Sequence, residues 1–239
     1  MTIGILAVQG AFIEQAKVLE KLGVSSIELR KASDLENHID GLILPGGEST
    51  VQGKLLRELG MYDILKEKIE NGLPVLATCA GMILLASQID NDTTSHFGTI
   101  PMTVKRNAYG RQLGSFHTTG TVKDIGEVPM TFIRAPYVSD TTNAVETLAV
   151  IDGKTVGVKY KNQMAFAFHP EVFPDWLSSN KEALLISEHD YILHMFSYEK
   201  HLLHSCFLSL YLNSFLPTYY LSYSNPPDKK YFHPLPPFL

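Results

Sequence analysis

The chain has 239 residues, a formal net charge of −5 and 45% apolar residues, long enough for a sizeable buried core and ordinary for a soluble protein. Lys and Arg are scattered, so the concentrated basic stripe of a nucleic-acid surface is missing. The only cysteines, Cys79 and Cys206, lie far apart in unlike surroundings, which argues against a disulfide framework.

"MTIGILAVQG" lacks a basic leader and reaches glycine too early for a signal peptide, so a reducing, cytoplasmic setting is expected. Its run Ile3 to Val8 is continuously apolar, as in a strand covered on both faces. "AFIEQAKVLEKLG" then places Phe12, Ala16, Leu19 and Leu22 at helical spacing, with Gly23 as the stop. The unit repeats: strands are expected at 25–29, 41–47 and 73–78, and helices at 49–59 and 62–70. Another helix should follow Cys79 through "MILLAS". Strands alternating with helices over short loops predict an α/β fold with a parallel sheet.

From about residue 98 the texture turns β-rich: "GTIPMTVKRN", "SFHTTGTV", "MTFIRAP", "VETLAVIDG", "TVGVKY" and "QMAFAFHP" are separated by Gly, Asn and Asp turns. Added strands, some antiparallel, account for this without a second domain. The last forty or so residues are rich in Leu, Tyr, Phe, Ser and Pro without an amphipathic period. They read as an atypical, poorly packed extension at 198–239 beyond a domain at 1–197. The apolar "LLHSCFLSLYLNSFL" in it is too short and too interrupted to span a membrane. Its His201, His204 and Cys206 lack a convincing fourth ligand, so no metal site is expected.

Three constellations carry chemistry. "ATCAG" (77–81) has the small-x-nucleophile-x-Gly form of a nucleophile elbow, and the amide of Ala80 would point at an oxyanion. A free cysteine is more often a small buried hydrophobe, so Cys79 alone decides nothing. "FHPE" supplies a base and its orienter: Pro170 disfavours helix at His169, so His169 and Glu171 are expected extended, at i and i+2, where strand C-termini converge. "LPGGEST" is a glycine turn entering a helix, with Ser49 or Thr50 near the N-cap. Its amides at Gly46 and Gly47 are candidate oxyanion donors, and Glu48 suits a substrate ammonium. Arg106 and Arg134, each after an expected strand, suit a carboxylate.

"PGGEST", "TCAG" followed by "MILLA", "KRNAYGRQ", "FIRAP" and "FHPE", in this order and spacing, resemble the PdxT/SNO family of class I glutamine amidotransferases, the glutaminase subunits of pyridoxal 5'-phosphate synthase. The resemblance covers about residues 1 to 171. It implies a flavodoxin-like three-layer α/β/α sandwich with a mostly parallel sheet. It also implies hydrolysis of L-glutamine to glutamate and ammonia without metal or organic cofactor. Cys79 matches the nucleophile, His169 the base and Glu171 its orienter, while Gly47, Glu48, Ser49, Arg106, Ile133 and Arg134 match the glutamine-binding positions. The implied partner is the synthase subunit, which receives the ammonia and whose docking switches the glutaminase on; no nucleic acid or membrane is implied.

Departures from the family pattern are Ala77 where glycine is usual, Gln15 where histidine is common, and "GESTVQ" where a second threonine usually follows. After "HPE", "VFPDWLSSNKEALLIS" intervenes before "EHDYILHMF", and the chain runs on past Phe196. These departures leave open an alternative, a chain that docks the synthase without catalysis, and a further one, another amidotransferase or thiol hydrolase on the same fold.

Overall fold

The apolar N-terminal run folds as β1 (Thr2–Leu6), with four of its five residues buried. In a computed structural model, which describes residues 1–106 and 115–172, β1 lies between parallel neighbours on both sides. In chain order the first half continues with α1 (Phe12–Lys21), β2 (Ser25–Leu29), β3 (Gly41–Leu44), α2 (Ser49–Glu58), α3 (Tyr62–Glu70), β4 (Val75–Thr78) and α4 (Ala80–Leu85). The second half adds β5 (Ala86–Ile89), β6 (Ile100–Lys105), β7 (Ser115–Val122), β8 (Gly126–Ile133), β9 (Tyr137–Thr141), β10 (Glu146–Ile151), β11 (Lys154–Tyr160) and β12 (Gln163–Phe166). The expected alternation over the first eighty residues holds, with β1 ending two residues early and β3 three, the latter at Pro45.

The main sheet runs β2-β1-β3-β4-β12-β11-β9-β6-β5, with β10 paired to β11 outside that path. From β2 to β12 all pairings are parallel, and β3, β4 and β12 are buried at every position. Antiparallel pairings of β11 with β12, β9 and β10, and of β6 with β9, extend the sheet. This is a flavodoxin-like α/β fold with a mostly parallel sheet. β12 returns late in the chain to sit beside β4, so the C-terminal end of "MAFAF" meets the elbow after β4.

Two expectations need correction. The helix after Cys79 is only six residues long, and Ala86 to Ile89 leave it as β5, paired parallel to β6. All six helical residues are buried, so the segment is apolar all round and has no period to mark where helix yields to strand. In β5 the Ser87 hydroxyl donates to the Met102 carbonyl at 3.1 Å, tying the switch to β6. The strands at 115–122 and 126–133 do not extend the main sheet. They pair with each other in register over their full length as a separate two-stranded ribbon, stacked through Phe116 and Phe132. The segment 198–239, its histidines and Cys206, the intervening stretch after "HPE", and the "NAYGRQ" part of the family signature lie outside the described residues. Among those that are described, no helix is long and apolar enough to cross a membrane.

Candidate active site

The sequence after β4 turns into α4 through one residue, Cys79, at φ 47° and ψ −100°. A side chain with a Cβ rarely adopts positive φ, and such strain costs roughly 1–3 kcal/mol unless its surroundings impose it. Here they do. The Cys79 amide donates to the Phe166 carbonyl of β12 at 2.8 Å, and α4 lies so close under β3 that a Cβ on Gly81 would sit 2.2 Å from the Leu44 carbonyl oxygen. Gly81 is therefore required by close packing: only a residue without a side chain lets the helix begin there. Cys79 is buried, and its thiol lies 3.9 Å from the Ile133 carbonyl of β8.

His169 and Glu171 follow β12, but not as an extended pair. Pro170–Val172 form a 3₁₀ turn, and it is this turn that carries the Glu171 carboxylate back to the imidazole, where Nδ1–H donates to Oε1 at 2.8 Å. Proline suits the first position of such a turn because its fixed φ matches and no amide is wasted. The His169 amide donates to the Thr131 carbonyl of β8 at 2.8 Å, so sheet and ribbon fix the ring together. Both side chains are buried, and the other edge of the ring meets Cys79. Burial pushes His169 down, but hydrogen bonds to Cys79 and then to Glu171, with their charges, outweigh it and raise the pKa to about 10. The arrangement favours an imidazolium at His169 across neutral pH.

The "PGGEST" loop passes beneath the imidazole. A Cβ on Gly46 would fall 2.2 Å from His169 Cε1, so the ring sits where a side chain at that position would be. The Gly46 amide donates to the Thr78 hydroxyl at 3.0 Å. With its amide engaged there, Gly46 serves the site by having no side chain. The N-cap of α2 is Glu48, with Ser49 and Thr50 directly after it in the first turn. Its backbone is extended, and its Oε1 accepts from the Thr50 amide at 3.2 Å. The Gln9 side chain, which sequence reasoning missed, accepts from the Glu48 amide at 2.8 Å. The buried Gln52 donates to the carbonyls of Gln9 and Pro45 at 2.9 and 3.2 Å. Neither glutamine stands in a recognisable pattern, because their work is to satisfy backbone groups of the loop.

These elements enclose a cavity of about 200 Å³, small beside the roughly 300–1,000 Å³ of drug-sized pockets and suited to a ligand of amino-acid size. Gly47, Glu48, Ser49, Cys79, Arg106, Ile133 and Arg134, all sequence candidates, line it together with Thr50 and Ile83, which were not candidates. Arg106 is tethered through Nη1 to Asp92 at 3.1 Å, while its buried Nε and Nη2 have no partner among the described residues. Arg134 holds φ 46°, a second strained side chain on the same rim. Among the described residues, Glu48 is the one carboxylate of the lining and Arg106 and Arg134 its cations. Among the described residues, no group of three or more His, Cys, Asp or Glu is placed to hold a metal ion.

The departures at 51 and 77 do not touch this geometry. Val51 is exposed on α2. Ala77 is fully buried within β4, paired with Leu44 and Ala165 two residues before the strained turn, so its methyl is absorbed in the sheet and leaves the elbow unchanged. Ala77→Gly is expected to cost about 1 kcal/mol through backbone entropy and lost packing. That lowers the thermal midpoint by about 2–4 °C, with no gain in the rate at which Cys79 reacts with a thiol-directed electrophile.

Comparison with known proteins agrees with these features. The model of the SNO glutamine amidotransferase family matches residues 5–181. A protein of Desulfitobacterium hafniense (strain DSM 10664 / DCB-2), described as pyridoxal 5'-phosphate synthase subunit PdxT, is 60% identical over 175 residues, 73% of this chain and 88% of that one. A protein of Haemophilus influenzae (strain PittEE) with the same description is 53% identical over 175 residues, 72% of this chain and 91% of that one. A crystal structure of a glutamine amidotransferase superposes with a TM-score of 0.72 at 38% identity, covering 82% of this chain and 98% of that chain. With a family model matching most of its length and relatives more than half identical, the chain belongs to the SNO glutamine amidotransferase family.

Proposed function

We propose that the chain is the glutaminase subunit of a pyridoxal 5'-phosphate synthase, hydrolysing L-glutamine to L-glutamate and ammonia through Cys79, His169 and Glu171. The observation that carries this reading is the His169 imidazole held between Cys79, which lines an amino-acid-sized cavity, and, at 2.8 Å, the Glu171 carboxylate. The Cys79 thiolate attacks the side-chain amide carbon of glutamine, forming the C–S bond and placing negative charge on the amide oxygen, which the Gly47 and Ala80 amides receive. His169 gives its proton to the departing nitrogen as the C–N bond breaks and ammonia leaves. It then takes a proton from water, whose oxygen attacks the thioester carbon; the C–S bond breaks, releasing glutamate and the thiolate. Glu171 holds the ring in the orientation both transfers need.

Substrate polarity fits the lining. The free nitrogens of Arg106, with Arg134 beside them, suit the α-carboxylate, and Glu48 suits the α-ammonium, with Ser49 and the Ile133 backbone completing the cradle. No metal or organic cofactor takes part in this scheme. Relatives described as synthase subunits support a second polypeptide that takes up the ammonia before it reaches water. The same reading keeps the chain in the reducing cytoplasm, where Cys79 stays a thiol.

The test is covalent labelling with a glutamine-like electrophile. A single adduct at Cys79, blocked by L-glutamine and not by other amides, is expected, together with glutamate release that rises when the synthase subunit is added. Labelling elsewhere, or protection by unrelated amides, overturns the assignment.

A further inference from the structure

Glu171 has two carboxylate oxygens, and the mechanism uses one. Oε1 accepts from His169, while Oε2 is buried and has no partner among the described residues. A buried charged oxygen without a donor is costly, so something in the working protein meets it. The 3₁₀ turn that carries Glu171 packs against β8 and against α1. The titratable side chains of α1, Glu14, Lys17, Glu20 and Lys21, are all exposed, as is Glu127 at the start of β8. What α1 turns inward is Gln15 beside Val18 and Leu19, and the Gln15 amide nitrogen is itself buried and unpartnered. A buried donor and a buried acceptor, each orphaned, thus stand on two elements in contact.

We infer that Gln15 is a positioning residue for the catalytic carboxylate: its amide N–H is the donor for Glu171 Oε2. The link closes by rotation about the soft last torsion of the glutamine side chain, or through one buried water between the two groups. With both oxygens held, the carboxylate keeps a single orientation, and His169 in turn keeps its ring turned toward Cys79. The inference rests on the triad reading above. It also gives a physical meaning to the departure at this position, since histidine and glutamine share an N–H donor and differ in most else.

The experiment measures kcat/KM for glutamate release against pH, with the full chain and its synthase subunit, for wild type, Gln15→Leu, Gln15→His, Gln15→Glu and Glu171→Gln. Without a donor on Oε2 the carboxylate protonates more readily. Gln15→Leu is therefore expected to move the acid limb upward by about one pH unit and to lower kcat/KM at pH 6 about tenfold. Its thermal midpoint should fall, because the variant leaves the buried Glu171 Oε2 without its donor. Gln15→His restores the limb, and Gln15→Glu, setting a second carboxylate beside the first, moves it further up. A wild-type limb in Gln15→Leu, with Glu171→Gln impaired, overturns the role of Gln15 alone. A wild-type profile in Glu171→Gln overturns the triad reading and this inference with it.

Discussion

Cys79→Ala is expected to lose glutamate release by at least about ten-thousand-fold, as removal of a covalent nucleophile does when base and oxyanion donors act only through it. The fold should survive. The anchor of residue 79 is its backbone amide on the Phe166 carbonyl, and alanine keeps that bond. A second readout follows from charge. Burial lowers the affinity of His169 for its proton, and the bond to Cys79, then that to Glu171, raise it to about 10. Without the thiolate the upward contribution shrinks, so a nuclear magnetic resonance titration of His169 should give a lower pKa in the variant. The linked stability has the same sign: for a group raised on folding it is full below the ordinary histidine value of about 6.5 and is lost as pH rises through about 10. In the variant that loss should occur at lower pH. Unchanged glutamate release, or an unmoved His169 titration, contradicts the assignment.

Gly46→Ala should be nearly as damaging, although the variant keeps every chemical group of the site. The new methyl would lie 2.2 Å from Cε1, 3.0 Å from Nδ1 and 3.3 Å from Nε2 of His169. The ring has nowhere to retreat: it is buried, bound to Glu171, and its own backbone is tied to Thr131. Displacement of the base should cost about 10²–10⁴ in kcat/KM, the usual worth of general acid–base catalysis. Because the thiol then loses its imidazolium partner, alkylation of Cys79 at pH 7 by a small neutral reagent should slow in parallel. Rapid alkylation at the wild-type rate would show that the ring still reaches the sulfur, and the steric account would be wrong.

The fold was legible in the sequence wherever hydrophobic period and turn residues agreed. β2 and α3 fall on their expected residues, and the apolar runs of β1, β3 and β4 mark strands covered on both faces. Legibility failed where a run is apolar throughout. "MILLAS" suits a buried helix or a buried strand equally, and the chain uses it as both. The site was legible as residue types in order, since a nucleophile elbow and a His-Pro-Glu turn leave local marks. Less legible was what each residue contributes. Gly46 gives its amide to Thr78 and its missing side chain to the His169 ring, and Glu48, which the loop motif offers to a substrate ammonium, also caps its helix. Gln9 and Gln52 left no signal, because they answer backbone groups that a one-dimensional pattern does not bring together.

The amides of Cys79 and His169 both terminate on carbonyl oxygens of other strands, Phe166 on β12 and Thr131 on β8. Every residue type offers such a carbonyl, so this part of the framework is indifferent to the letters written at those positions. Side chains of these strands answer to more than space, since the Thr131 hydroxyl of β8 bonds His117, Gln163 of β12 accepts from Thr99, and Ile133 lines the cavity. An engineer can therefore change the side chain at Phe166 to tune stability and still keep the backbone bond that anchors residue 79.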